Sequence, residues 1–475
     1  MPERPPNILW YCSDQQRFDT IGALGNPHVH TPHLDRLVAE GVTFTHAFCQ
    51  SPICTPSRAS FLTGKYPSTV HVNTNGNDIF PSRERLVTRR LADAGYNCGL
   101  VGKLHLAGAD DGREARTDDG YRFFRYSHAP RDDWQHGHDY ADWLRGKGHD
   151  PRIVLEVKKS LYGGLTEPTP ERDNVPPHLH QTTWCSEEAL DFIGQERDQP
   201  WLLSVNPYAP HPPYNPPWEF YRRFDPDRLP GPHFQPSDLA HQTALRGVDF
   251  QSLPQPPEAI AATRIQAAYY AMIEQVDEQF GRLVDALDGS GQRENTVIIY
   301  TSDHGESLGD HGLTQKGCRF FDGLVRVPLI ISWPDHIPAG MRADGLVELI
   351  DIAPTVLGLA GLPVPADMQG RSLLPILMGQ RPPDYHRDFV RTEYYDAVDM
   401  PNHSFATMYR DRRWKLVVYH GTGLGELYDL ESDPLEFHSL WDAPDALGIR
   451  ADLLQRSFDA SVAALDYGPK RMMPY

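Results

Sequence analysis

Short apolar, β-branched runs recur along most of the chain and alternate with segments whose apolar positions follow a helical period. The runs at residues 8–12, 98–101, 202–205, 297–301 and 329–332 are almost wholly apolar, as a strand covered on both faces must be. Between the third and fourth, residues 265–287 place Ile273, Val276, Phe280, Leu283 and Leu287 at three- and four-residue spacing. That spacing predicts a helix with one apolar stripe against the sheet. Strand and helix in alternation predict an α/β fold, a mostly parallel sheet flanked by helices. After about residue 377 the pattern changes: 388–393, 404–409 and 414–419 read as short antiparallel strands and 445–465 as a terminal helix. The expected division is therefore a large α/β domain over 1–377 and a smaller α+β subdomain over 378–475. Two polar insertions, 108–180 and 212–257, are long enough to be functional rims. They carry Trp134, Trp143, Tyr162, Tyr214 and Trp218, which suit stacking on a sugar or aromatic ring, although such residues more often pack the loop itself.

Composition narrows the function. A chain of 475 residues with 40% hydrophobic content can bury a large core. The net charge of −19, without any long Lys/Arg run, argues against a nucleic-acid partner. If the substrate is an anion, positive charge must be concentrated where it binds. Six scattered cysteines (Cys12, Cys49, Cys54, Cys98, Cys185 and Cys318) form neither a disulfide framework nor a CxxC metal pattern. The start, Met-Pro-Glu-Arg-Pro-Pro, lacks a basic stretch followed by an apolar one, and no segment has the length of a membrane span. The expectation is a soluble, cytoplasmic protein without a membrane partner.

Candidate chemistry lies at the strand ends, because open α/β sheets bind ligands outside the carboxyl ends of their strands. The first predicted strand ends in Ser13-Asp14-Gln15, the second in Gly102-Lys103-Leu104-His105, the third in Asn206 through His211, and the fourth in Ser302-Asp303-His304-Gly305-Glu306. Carboxylates, imidazoles and a lysine delivered to one edge describe a site for a metal and an anion. The stretch D-H-G-E-S-L-G-D-H lacks the HExxH spacing of a zinc protease helix and contains two glycines.

At residues 51–67 stands S-P-I-C-T-P-S-R-A-S-F-L-T-G-K-Y-P. Cys54-Thr55-Pro56-Ser57-Arg58 with Leu62-Thr63-Gly64 resembles the signature of the sulfatase family in the alkaline phosphatase superfamily. Further matches are N-I-L-W-Y-C-S-D, T-P-H-L-D-R-L, V-G-K-L-H, T-S-D-H-G-E, R-V-P-L-I-I-S, D-I-A-P-T and E-L-Y-D-L-E-S-D-P, spread in family order over nearly the whole chain. The resemblance implies an alkaline phosphatase-like fold and hydrolysis of sulfate monoesters. It implies oxidation of Cys54 to formylglycine by a maturation enzyme, one hydroxyl of the hydrated aldehyde attacking sulfur and the other driving release of sulfate. Pro56 suits a first helical turn, and Thr55 and Ser57 suit a cap region, which puts position 54 at a helix N-terminus favourable to an anion.

The resemblance also assigns roles. Metal ligation falls to Asp14, residue 54, Asp303 and His304, with Gln15 a weaker ligand where many sulfatases carry a second Asp. Ca²⁺ is the first expectation, with Mn²⁺ or Mg²⁺ allowed by a set that mixes oxygen and imidazole nitrogen. Arg58, Lys103 and Lys316 neutralise the sulfate, His105 orients or deprotonates the diol, and Asn75 contacts the anion, although Asn73 and Asn77 lie close by. His211 is assigned as the acid on the leaving oxygen because imidazole titrates near neutrality. The expected substrate is a small-molecule or saccharide sulfate ester. The alternatives are a phosphonate or phosphate ester hydrolase with the same nucleophile, which typically lacks the Lys103-x-His105 pair, and a non-catalytic protein that binds sulfated ligands.

Overall fold

The computed structural model describes residues 5–109, 113–129, 138–155, 165, 167–169 and 174–466. Among them, nine strands form one sheet: β1 (Asn7–Ser13), β2 (Val42–Phe48), β3 (Asn97–Gly102), β4 (Phe123–Tyr126), β5 (Trp201–Asn206), β6 (Thr296–Ser302), β7 (Arg326–Val327), β8 (Leu329–Ser332) and β9 (Met341–Glu348). Their order is β4-β3-β5-β1-β6-β8-β2-β7, with β9 also paired to β2. Strands β4, β3, β5, β1 and β6 run parallel, and β8 turns antiparallel between β6 and β2. The sheet is thus mixed and mostly parallel, as expected.

All five predicted buried runs are strands, and the side-chain alternation explains their composition. In β1, Ile8, Trp10 and Cys12 enter one core cluster, whereas Leu9 and Tyr11 enter another on the opposite face. β6 divides likewise, Val297 and Ile299 to one side, Ile298 and Tyr300 to the other. The predicted helix spans Ala262–Gly289. Its Phe280 ring meets Tyr11 and Tyr300 edge-on at 5.3 Å each, and a side chain of this kind contributes about 1.5–3 kcal/mol by leaving water. The helix Cys54–Thr63 packs Ala59, Phe61 and Leu62 on the other face.

A second sheet joins β10 (Val390–Tyr395), β11 (Phe405–Arg410), β12 (Trp414–Tyr419) and β13 (Gly425–Asp429) in sequence order, all antiparallel. The helix Leu447–Ala463 covers one face through Leu453 and Ala460. Val390, Tyr394, Met408, Val417 and Tyr419 turn the other way and enter the same core as Phe48 and Ile53. The two sheets therefore share apolar surface.

The insertion at 108–180 holds more regular structure than expected, including β4 and the helix Asp139–Gly146. Its aromatic residues pack locally: Trp143 lies against Tyr140 at 6.0 Å and donates to Glu187. In the second insertion Tyr214 is buried against Tyr269, and Trp218 lies against Tyr221. Trp134 and Tyr162 fall outside the described residues. All six cysteines are buried free thiols. Among the described residues, no helix is long and apolar enough to cross a membrane.

Candidate active site

The strands that carry the candidate residues, β3, β5, β1 and β6, are contiguous in the sheet, and their carboxyl ends lie level, Gly102 opposite Asn206 and Ser13 opposite Ser302. The chain leaves β1 through Gln15, whose backbone is left-handed (φ 68°). Its N–H donates to Asp303 Oδ1 (3.0 Å), and its carbonyl accepts from the Tyr269 hydroxyl (2.6 Å) of the long helix. β3 ends at Gly102 with φ 98°, and the next N–H, of Lys103, donates to the Asn206 carbonyl at 2.9 Å. A Cβ at position 102 would lie 2.1 Å from that same oxygen, so glycine is needed to aim Lys103.

Cys54 is the first residue of its helix, as expected, but the capping differs from expectation. Ile53 is the cap residue and supplies no side-chain bond. The helix N–H of Thr55 instead donates to Asn75 Oδ1 at 2.9 Å, and the Ser57 hydroxyl donates to the Asp303 carbonyl. Asn75 therefore sits at the N-terminal end of the Cys54 helix, tied through its own N–H to the Ala397 carbonyl of the β10–β11 loop.

Asp14, Cys54, Asp303 and His304 form the metal-competent group among the described residues: one ligand atom from each lies within 4.8 Å of the others, and all four are buried. His304 Nδ1 is 2.8 Å from the Gly305 carbonyl, which can only accept. The proton is thus on Nδ1, and Nε2 turns its lone pair toward Cys54 Sγ at 3.1 Å. Two carboxylates and an imidazole lone pair in a dry cluster fit a divalent cation.

Cations surround this group. Arg58 Nε donates to Asp303 Oδ2 (2.8 Å) and NH1 to the Lys103 carbonyl (3.0 Å). Lys103 Nζ bonds Asp14 Oδ2. Lys316 Nζ reaches Cys54 Sγ and Gln15 Oε1 at 2.8 Å each, and His304 Nε2 and His211 Nε2 at 3.1 Å each. Burial alone would raise the Cys54 thiol, but Lys103 and Lys316 outweigh it and hold it well below its usual range. Burial also opposes the Asp303 carboxylate, yet Arg58 keeps it below the ordinary carboxylate value. Lys103 stays an ammonium because Asp14 and Cys54 more than offset its burial. His105, pushed down to about 4 by burial and by Lys103, is neutral and meets the Cys54 sulfur. His211 is half-buried at the mouth, its Nδ1 donating to the Pro212 carbonyl (2.6 Å), and burial and Lys316 lower its pKa.

Every predicted site residue thus joins one web, with Asn75 at its edge. Two further carboxylates belong to it. Glu114 accepts the N–H groups of His105 (2.7 Å) and Leu106 (3.1 Å) and fixes the left-handed turn at His105 (φ 57°). Burial pushes its carboxyl up to about 7. Glu306 accepts from Gln15 Nε2 and from the hairpin that carries Lys316. Glu306 closes the T-S-D-H-G-E motif, whereas Glu114 has no spacing signature, since it acts by gathering backbone N–H groups. His128, its ring 4.3 Å from that of His105, was equally invisible to the sequence pattern. Asp310 and His311, set aside as metal ligands, have structural partners: Arg17 for the first, Phe321 and Asp238 for the second.

A dry carboxylate–imidazole pocket ringed by buried cations at the carboxyl edge of this sheet defines a hydrolase of the alkaline phosphatase superfamily. The family model described as Sulfatase matches residues 6–362, and one described as N-sulphoglucosamine sulphohydrolase, C-terminal, matches 309–462. The chain belongs to the sulfatase family. It is 30% identical to an arylsulfatase of Clostridium perfringens over 92% of this chain and 90% of that one. It is 29% identical to a choline-sulfatase of Rhizobium meliloti, covering 92% and 83%. Among solved structures, a phosphonate monoester hydrolase of Agrobacterium radiobacter superposes with a TM-score of 0.82 at 28% identity, covering 97% and 96%.

Proposed function

We propose that this enzyme hydrolyses sulfate monoesters to an alcohol, sugar or phenol and inorganic sulfate, with formylglycine made from Cys54 as nucleophile and one divalent cation beside it. The observation that carries the reading is the position of residue 54: at a helix N-terminus, 2.8 Å from the Lys316 ammonium and within the Asp14, Asp303 and His304 cluster. The Cys54 sulfur marks where the formylglycine oxygens would stand. Asp14, Asp303, His304 and residue 54 would hold the cation, with the Gln15 carbonyl close by; Ca²⁺ is the first choice, Mn²⁺ and Mg²⁺ the others. When bound, the cation sharpens the nucleophilic oxygen and draws charge from the sulfate.

The chain's own residues do the rest. Arg58 keeps Asp303 ionised, and Lys103 and Lys316 face the sulfate oxygens as preorganised positive charge. Attack by the residue-54 oxygen, already ionised beside Lys103 and Lys316, forms its bond to sulfur and breaks the bond to the leaving oxygen, which takes a proton that Lys316 passes through His211 Nε2. Lys316, 3.1 Å from that nitrogen, is the adjacent proton donor. Neutral His105 then accepts the proton of the second hydroxyl, and sulfate departs as the aldehyde re-forms. The Asn75 cap keeps the helix end facing the anion.

The likeness to a phosphonate monoester hydrolase supports a second reading, phosphonate or phosphate ester cleavage by the same nucleophile. Protein co-produced with a formylglycine-generating enzyme and assayed on matched aryl sulfate, phosphate and phosphonate separates the two. Mass spectrometry of the peptide spanning Cys54 should show the aldehyde in active material, and Cys54→Ala should abolish turnover. Active protein with an intact thiol would refute the proposed nucleophile, and faster phosphorus chemistry would favour the second reading.

A further inference from the structure

We propose that Glu306 is a positioning residue that dictates which end of the Gln15 amide faces the metal pocket. This inference rests on the metal reading above.

The two ends of a glutamine amide have the same shape, so their partners decide the orientation. Glu306 is completely buried, and its Oε2 bonds Gln15 Nε2. Glu306 Oε2 accepts the NH₂ end of Gln15, and Lys316 Nζ, which can only donate, meets the carbonyl end 2.8 Å away. Lys316 in turn touches Cys54 and His304, so the carbonyl oxygen lies beside the metal ligands. The other oxygen, Oε1, is committed elsewhere: it accepts the N–H of Leu308 (3.1 Å) and that of Gln315, directly before Lys316. One carboxylate therefore sets Gln15 with one oxygen and anchors the Lys316 hairpin with the other.

This division makes Glu306→Gln a clean perturbation. The new side chain is nearly isosteric, and its carbonyl retains the Leu308 and Gln315 bonds. Its NH₂ group, however, meets the Gln15 NH₂ group. The Gln15 amide then faces a donor at each end, the new NH₂ group on one side and the Lys316 ammonium on the other, and loses its fixed orientation beside the metal pocket. Loss of an outer partner of this sort typically costs 10- to 100-fold in metal affinity. Adding Gln15→Glu restores an acceptor toward the new amide and an oxygen toward the pocket.

The test is calorimetric titration of Mn²⁺, with Ca²⁺ in parallel, into metal-stripped full-length protein of verified residue-54 state. The metal-induced rise in melting temperature is the second readout. Glu306→Gln should weaken binding 10- to 100-fold, and the double variant Gln15→Glu/Glu306→Gln should recover most of the loss. Unchanged binding in Glu306→Gln, or purely additive losses in the double variant, would overturn the proposal. Should Glu306→Gln fail to fold, the double variant compared with Gln15→Glu alone carries the same test, tighter binding by the double supporting the proposal and equal binding overturning it. Asp303→Asn separates the two levels: if it weakens binding while Glu306→Gln does not, the metal site stands and the role of Glu306 falls. If wild type and Asp303→Asn bind alike, both readings fall together.

Discussion

Replacing His211 by alanine tests the assignment of the leaving-group acid. The imidazole is half-buried, its Nδ1 proton is given to the Pro212 carbonyl, and its Nε2 stands 3.1 Å from Lys316 Nζ, which is 2.8 Å from Cys54 Sγ. The ring edge is thus one group removed from residue 54. Burial and Lys316 lower its pKa, so a proton placed on Nε2 is readily surrendered. A positioned acid of this kind contributes about 10²–10⁴ in rate, or about 3–5 kcal/mol. Proton donation matters only where the departing oxygen is a poor anion. His211→Ala should therefore lower kcat/KM by about 10²–10⁴ on an alkyl sulfate and by only a few-fold on 4-nitrophenyl sulfate. Lys316 keeps Gln15 and Cys54 as partners in the variant, so its contribution to sulfate binding should survive. Steady-state kinetics on both substrates, with melting temperatures to confirm the fold, provide the assay. Equal losses on the two esters would show that His211 positions Lys316 and donates no proton.

Two further predictions concern the frame. Gly102→Ala should destabilise the protein by about 1–3 kcal/mol and reduce activity, because a Cβ at φ 98° would lie 2.1 Å from the Asn206 carbonyl and displace Lys103; an unchanged melting temperature with unchanged kcat/KM would contradict this. Glu426, bonded to His241 (2.8 Å), Tyr419 and Tyr428, is buried, yet His241 and Arg319 bring its pKa down to about 2, while the Glu426 contact, outweighing burial, raises that of His241. A depressed carboxylate stabilises above its unfolded value of about 4.3 and loses that contribution as pH falls toward 2, whereas a raised histidine stabilises below about 6.5 and loses it as pH rises through its folded value. The melting-temperature gap between wild type and Glu426→Gln should therefore be widest between about pH 4.5 and 6.5 and narrow on either side; a gap that keeps growing above pH 8 would contradict the pairing.

Legibility in the sequence followed burial. β1, β3, β5, β6 and β8 are covered on both faces, so their apolar runs stand out, and the motifs at their ends named the site. β2 was missed because Thr43, Thr45 and His46 break its pattern, and β9 because Met341–Glu348 carries Arg, Asp and Gly. The spatial order β3-β5-β1-β6, which makes the four strand ends neighbours, depends on crossovers that periodicity does not encode. Arg58, Lys103, Lys316 and Glu306 were accessible through family motifs, Glu306 without a role attached, whereas Glu114 binds backbone N–H groups, a task that leaves no residue pattern. Asn75 was assigned to the anion, and its observed bond to the Thr55 N–H emerged only from the folded geometry.

Gln15, His105 and Gln315 each hold a left-handed backbone without being glycine. Each such residue costs roughly 1–2 kcal/mol, and each is clamped by a buried partner: the Tyr269 hydroxyl, Glu114 and Glu306 in turn. The rim is thus a set spring whose tension is borne by the sheet and the long helix, and sulfate meets loops already in place. Glycine in place of Gln315, the one of the three whose side chain has no assigned task, would relax that tension and leave the Lys316 loop slacker.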